Sequence, residues 1–161
     1  MTEHKRRITC PSEGLIRRVW KDSPKRFRLI IDQLTGRPRA PAAAFELRLA
    51  DPTKPERTVD EALSVNIESS LQAAGLELTW GMDVSRQYAV RITVDICHAN
   101  GLEAYYDPTP INPHHGSIWD LVAMFSEDRD RYERTINALA KASTVVHDAT
   151  TLDPTTNTKP N

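Results

Sequence analysis

Apolar and polar residues alternate over several short stretches of this chain, and each stretch predicts a half-buried strand. Gly14-Leu15-Ile16-Arg17-Arg18-Val19-Trp20 mixes apolar and basic residues in a pattern that suits a strand bearing paired arginines. Phe45, Leu47 and Leu49 fall at period two with charged residues between them, so residues 42–49 read as a strand with one wet face. Leu63, Val65 and Ile67 repeat the alternation, as do Leu76, Leu78 and Trp80, and then Tyr88, Val90, Ile92 and Val94. Leu102 to Tyr106 predicts one more short strand. Lys25-Arg26-Phe27-Arg28-Leu29-Ile30-Ile31-Asp32 is too short for its period to decide between strand and short helix.

Towards the C-terminus the period becomes helical. Tyr132, Ile136, Leu139 and Ala140 occupy the i, i+4, i+7 and i+8 positions of one face, opposite Arg129, Asp130, Glu133, Arg134, Asn137 and Lys141. With Ser126 as N-cap and Glu127 and Asp128 in the first turn, this predicts a helix over about 127–143. Ser69 or Ser70 caps a second, short helix running to Ala74 and closed by Gly75. Asp95 to Gly101 reads either as one helical turn ending at Gly101 or as a hairpin turned by Asn100-Gly101, and the two readings place His98 differently. Short strands with two or three helices, not in a regular βαβ rhythm, give an α+β fold with a mostly antiparallel or mixed sheet.

Prolines punctuate this pattern. Gly36 to Pro41 is a break, and Asp51 to Thr58 reads as a loop. The expected organisation is a flexible N-terminus over 1–12, one α+β domain over 13–147, and a tail over 148–161 with almost nothing to bury. A chain of 161 residues buries roughly 70% of its unfolded surface, enough for a single core. No apolar run approaches the roughly 20 residues needed to cross a bilayer, and no apolar segment follows the charged N-terminus, so the expectation is a cytoplasmic protein without membrane contact. Cys10 and Cys97 are then reduced thiols; two cysteines make no zinc site, and neither metal nor cofactor is expected.

Charge changes the picture more than composition does. The net is −1, yet eleven basic side chains face four acidic ones between Glu3 and Arg39, a local excess of about +7. Trp20 and Phe27 lie among Arg17, Arg18, Lys25, Arg26 and Arg28, making these the candidate binding residues for an acidic surface or for phosphate. A pI near 6.5 argues against a dedicated nucleic-acid binder.

The densest chemistry is in Asp107-Pro108-Thr109-Pro110-Ile111-Asn112-Pro113-His114-His115. Its prolines exclude helix and central strand and predict a stiff, extended connector. His115, with His114, Asp107 and either His98 or Asp120, is the candidate catalytic group, because a carboxylate orients an imidazole and raises its basicity. The alternative is a structural corner whose Asn112 and imidazole satisfy buried backbone groups. Adjacent histidines point to opposite faces of extended chain, which disfavours a shared metal. Cys97 beside His98 lacks nucleophile-base spacing. The sequence holds no Gly-x-Ser-x-Gly, His-Glu-x-x-His, Walker A or Gly-x-Gly-x-x-Gly.

Pro41-Ala42-Ala43-Ala44-Phe45, Leu63-Ser64-Val65, Asp107 to His115 and Leu139-Ala140-Lys141-Ala142 together resemble segments of a group of small uncharacterised prokaryotic proteins. The proline-histidine segment is the specific one. Ile111 stands where that group often has an acidic residue, and Gly116 where it often has alanine. No activity is established for the group, so the resemblance implies a shared feature of a fold and no mechanism. The expected function is an accessory or regulatory protein acting with a protein partner, leaning away from an enzyme. The alternatives are a small hydrolase or transferase using His115 and Asp107, and nucleic-acid association through the basic quarter.

Overall fold

The arginine-bearing segment Gly14–Trp20 lies at the heart of the sheet, with an antiparallel partner on each side. The structure, a computed structural model, describes residues 5–20, 29–48, 53 and 60–148. Its strands are β1 (Arg6–Arg7), β2 (Gly14–Trp20), β3 (Ile30–Ile31), β4 (Pro38–Arg39), β5 (Leu63–Ile67), β6 (Gln87–Thr93), β7 (Glu103–Tyr106), β8 (His115–Trp119) and β9 (Thr144–His147). Its helices are α1 (Glu68–Ala73), α2 (Val94–Ala99), α3 (Leu121–Glu127) and α4 (Arg129–Ala142). Seven strands form one antiparallel sheet in the order β1-β7-β8-β5-β2-β6-β9, and β3 with β4 forms a separate hairpin. The fold is α+β.

Alternation sends Leu15, Val19, Leu63, Val65, Tyr88, Val90, Ile92 and Ile118 into one cluster with Tyr132, Ile136 and Leu139 of α4. Each of those aliphatic side chains stabilises the fold by about 1.5–3 kcal/mol relative to exposure. Asp128 caps α4 by accepting from the Arg131 amide, two residues later than the sequence predicts, while Ser126 lies within α3. The helix face with Arg129, Glu133 and Lys141 is exposed, as its pattern predicts. Residues 76–86 run over the opposite face of the sheet: Arg18 donates to the Gly81 carbonyl at 2.9 Å, and the Arg86 guanidinium lies 5.2 Å from the Trp20 ring centre.

Several expectations are corrected. Residues 42–48 form no strand: Ala42–Phe45 is a single 3-10 turn, after which Glu46 is extended. Phe45 and Leu47 are buried all the same, so the alternation records burial without a ladder partner. Leu76 lies in irregular chain and Leu78 and Trp80 in a turn, and the strand of that region is confined to β6. Helix α1 starts at Glu68, with Ser69 and Ser70 inside it and no side-chain cap at Ile67. Gly75, at φ 71°, follows it as expected. Of the two readings for residues 95–101 the helix holds, with Gly101 at φ 77° after its end. Arg6 and Arg7, expected to be frayed, pair with Tyr106 and Tyr105 in β7. The expected tail over 148–161, apart from Asp148, and most of the 51–58 loop lie outside the described residues.

Candidate functional site

The proline-rich segment is a closed corner between β7 and β8, not an extended connector. The Asp107 amide donates to the His115 carbonyl at 2.9 Å, and inside that pair Thr109 and Asn112 exchange backbone bonds at 3.0 and 3.2 Å. The prolines occupy the intervening positions, where no donor is needed. Asn112 then stitches the corner to the sheet. Its Oδ1 accepts from the His114 amide at 2.9 Å, which orients Nδ2 to donate to Asn66 Oδ1 of β5 at 2.8 Å. The Ile67 amide donates to the His114 carbonyl at 2.8 Å. Asn66 is 1% exposed, and its Nδ2 has no partner.

The two imidazoles are held separately. His114 is buried, its Nδ1 lies 2.8 Å from Ser70 Oγ of α1, and its ring meets Trp80 edge-on with centres 4.9 Å apart. His115 Nδ1 lies 2.8 Å from the Asp107 carbonyl oxygen, whereas the Asp107 carboxylate accepts from Ser117 Oγ at 3.1 Å, and Ser117 Oγ in turn accepts from Trp119 Nε1. Thus a backbone carbonyl, not a carboxylate, orients His115. His98 sits on α2 with Nε2 3.3 Å from Glu103 Oε1, and Asp120 precedes α3 at φ 87°. Neither hydrogen-bonds to the corner's side chains. No group of three His, Cys, Asp or Glu side chains among the described residues has metal-binding geometry. Cys97 is buried, its thiol pushed up to about 12 by burial and by Asp95 and Glu103.

The arginines of β2 are likewise committed to the fold. Arg17 donates through Nε to the Ala44 carbonyl and through Nη1 to the Ser64 carbonyl, both at 3.0 Å, while Arg18 holds Gly81. Burial lowers the Arg18 pKa from its ordinary value. Trp20 is 45% exposed beneath Arg86. Lys25, Arg26 and Arg28 lie outside the described residues.

What the sequence reading missed is the hairpin of β3 and β4. Asp32 organises it: Oδ1 accepts from the Leu34 and Thr35 amides at 2.9 and 3.0 Å, and Oδ2 from Arg39 Nε at 3.2 Å. These bonds, led by those from Thr35 and Leu34, hold the Asp32 carboxyl below the ordinary carboxylate range. The Asp32 amide donates to the Arg37 carbonyl and Gly36, at φ 71°, donates back to Asp32. This internally bonded loop turns Ile31 and Leu34 outward, at 61% and 96% exposure. The available signal was an apolar pair followed by Asp and, four residues on, Gly.

Comparison with protein-family models, curated proteins and solved structures finds no match to this chain.

Proposed function

We propose that this chain is an accessory or regulatory protein that acts by binding a protein partner. The observation that carries the reading is the Asp32-pinned hairpin, whose aliphatic side chains are presented to solvent on a backbone already ordered by hydrogen bonds. An ordered loop has less entropy to lose on docking than a loose one, and Ile31 and Leu34 supply apolar area to bury. A photo-crosslinking residue at position 34, compared with one at the exposed helix position 133, tests this in the protein's own cells. Position 34 should give a discrete partner that Ile31→Ser removes. Identical products at both positions would overturn the proposal.

An enzyme using His115 and Asp107 is supported less, because the two residues meet through backbone oxygens while the Asp107 carboxylate is taken up by Ser117. The observation that favours catalysis is instead the Ser70–His114 hydroxyl-imidazole bond. Labelling of Ser70 by a fluorophosphonate, abolished by Ser70→Ala, would promote that reading. Nucleic-acid binding through β2 loses support because Arg17 and Arg18 already donate to carbonyls.

A further inference from the structure

The hairpin stands beside the end of α4 and the start of β9, and a groove separates them. It consists of two adjoining clefts of about 370 Å³ each, one lined by Arg37, Lys141 and Val145, the other by Ile30, Ile31 and Leu34. Asp32, Arg39 and Lys141 line both clefts and so stand between them.

Among the described residues, the charged side chains lining this groove are Asp32, Arg37, Arg39 and Lys141. Asp32 and Arg39 neutralise one another at 3.2 Å. Arg37 and Lys141 are exposed and have no ion-pair partner among the described residues, so the groove carries two free positive charges beside an aliphatic strip. Among the described residues no aromatic side chain lines either cleft. Single-stranded nucleic acid is ordinarily held by stacking its bases on rings, and this groove offers methyl groups instead.

We infer that the groove receives an acidic amphipathic segment of another protein, whose apolar side chains cover Ile31 and Leu34 while its carboxylates meet Arg37 and Lys141. The inference rests on the hairpin being the docking element proposed above. Like-charged segments are repelled by the same two cations, so the groove sorts partners by sign as well as by shape.

The test uses two fluorescein-labelled peptides of about 16 residues, long enough to form helix on a surface. Both carry leucine at helical spacing, one with glutamate and one with lysine elsewhere. Fluorescence anisotropy with the full chain should show the glutamate peptide binding about ten-fold more tightly than the lysine peptide at moderate salt. Arg37→Glu with Lys141→Glu should reverse that order while lowering the melting temperature by no more than about 5 °C, since both positions are exposed and the cost is that of an anion in the last turn of α4. Equal binding of the peptides, no binding of the glutamate peptide, an order unaffected by charge reversal, or displacement of the peptide by a single-stranded oligonucleotide at lower concentration would each overturn the inference. If Ile31→Ser with Leu34→Ser abolishes binding while charge reversal does nothing, the hairpin remains the docking element and the acidic partner falls. If neither pair of substitutions matters, both readings fall.

Discussion

Replacing Asn112 by alanine tests whether the proline-rich corner is held by its hydrogen bonds. The substitution removes the 2.8 Å bond to Asn66 Oδ1 and the 2.9 Å bond from the His114 amide. Asn66 is 1% and His114 8% exposed, so water has little access to the groups left behind. Each unsatisfied buried group costs about 1–3 kcal/mol, and a loss of about 3 kcal/mol is expected for the two together. For a chain of this size that lowers Tm by roughly 10 °C. Urea titration followed by tryptophan fluorescence reads the loss, and Trp80 beside His114 provides a local reporter. Asn66→Ala completes the cycle, because it removes both the acceptor Asn112 serves and the unpaired Nδ2 beside it. The double variant should be more stable than additivity predicts by about 1–2 kcal/mol. A loss below about 0.5 kcal/mol in the single variant, or strict additivity, would refute the reasoning.

Gly116→Ala should destabilise by about 1–3 kcal/mol in denaturant titration, because its added methyl would meet Ile67 and lie 2.9 Å from the Tyr105 carbonyl oxygen. Ser70→Ala should cost about 1 kcal/mol through its lost bond to His114, again read by urea titration. Ellman's reagent should titrate one thiol in the folded protein, the exposed Cys10, and the second only after guanidinium is added, since Cys97 is buried and its thiolate disfavoured. The Asp32 carboxyl titrates below its ordinary value, so its contribution to the hairpin is present above about pH 4 and is lost as pH falls through the lowered pKa. The Leu34 and Thr35 amide resonances should follow that titration, and insensitivity of both between neutral and acidic pH would contradict the bonding described.

Much of the sheet was legible because the face of its central strands that packs against α4 is consistently apolar, which imposes a period of two on those positions. β2, β5 and β6 follow from Leu15 and Val19, from Leu63, Val65 and Ile67, and from Tyr88, Val90 and Ile92. Helix α4 was legible for the same reason at period 3.6. Alternation misled where burial came without pairing, at Phe45 and Leu47. The corner's place in the chain was visible from its prolines, and the structural alternative for Asn112 agrees with the bonds it makes. That Ser70 and Asn66 would meet it was not visible, since those contacts span 44 and 46 residues and depend on how β5 pairs with β8. Charge counting located Arg17 and Arg18 but not their carbonyl acceptors, which belong to segments 27 to 63 residues away.

The border of the sheet at β1 has a consequence for behaviour at high concentration. That strand is two residues long, and both are arginines turned to solvent. A second molecule that laid its own β1 alongside would bring four guanidinium groups together over a ladder too brief to offset their repulsion. Crowded chains are therefore discouraged from zipping together along this margin, and two arginines that the sequence placed in a flexible terminus act here to keep copies of the protein apart.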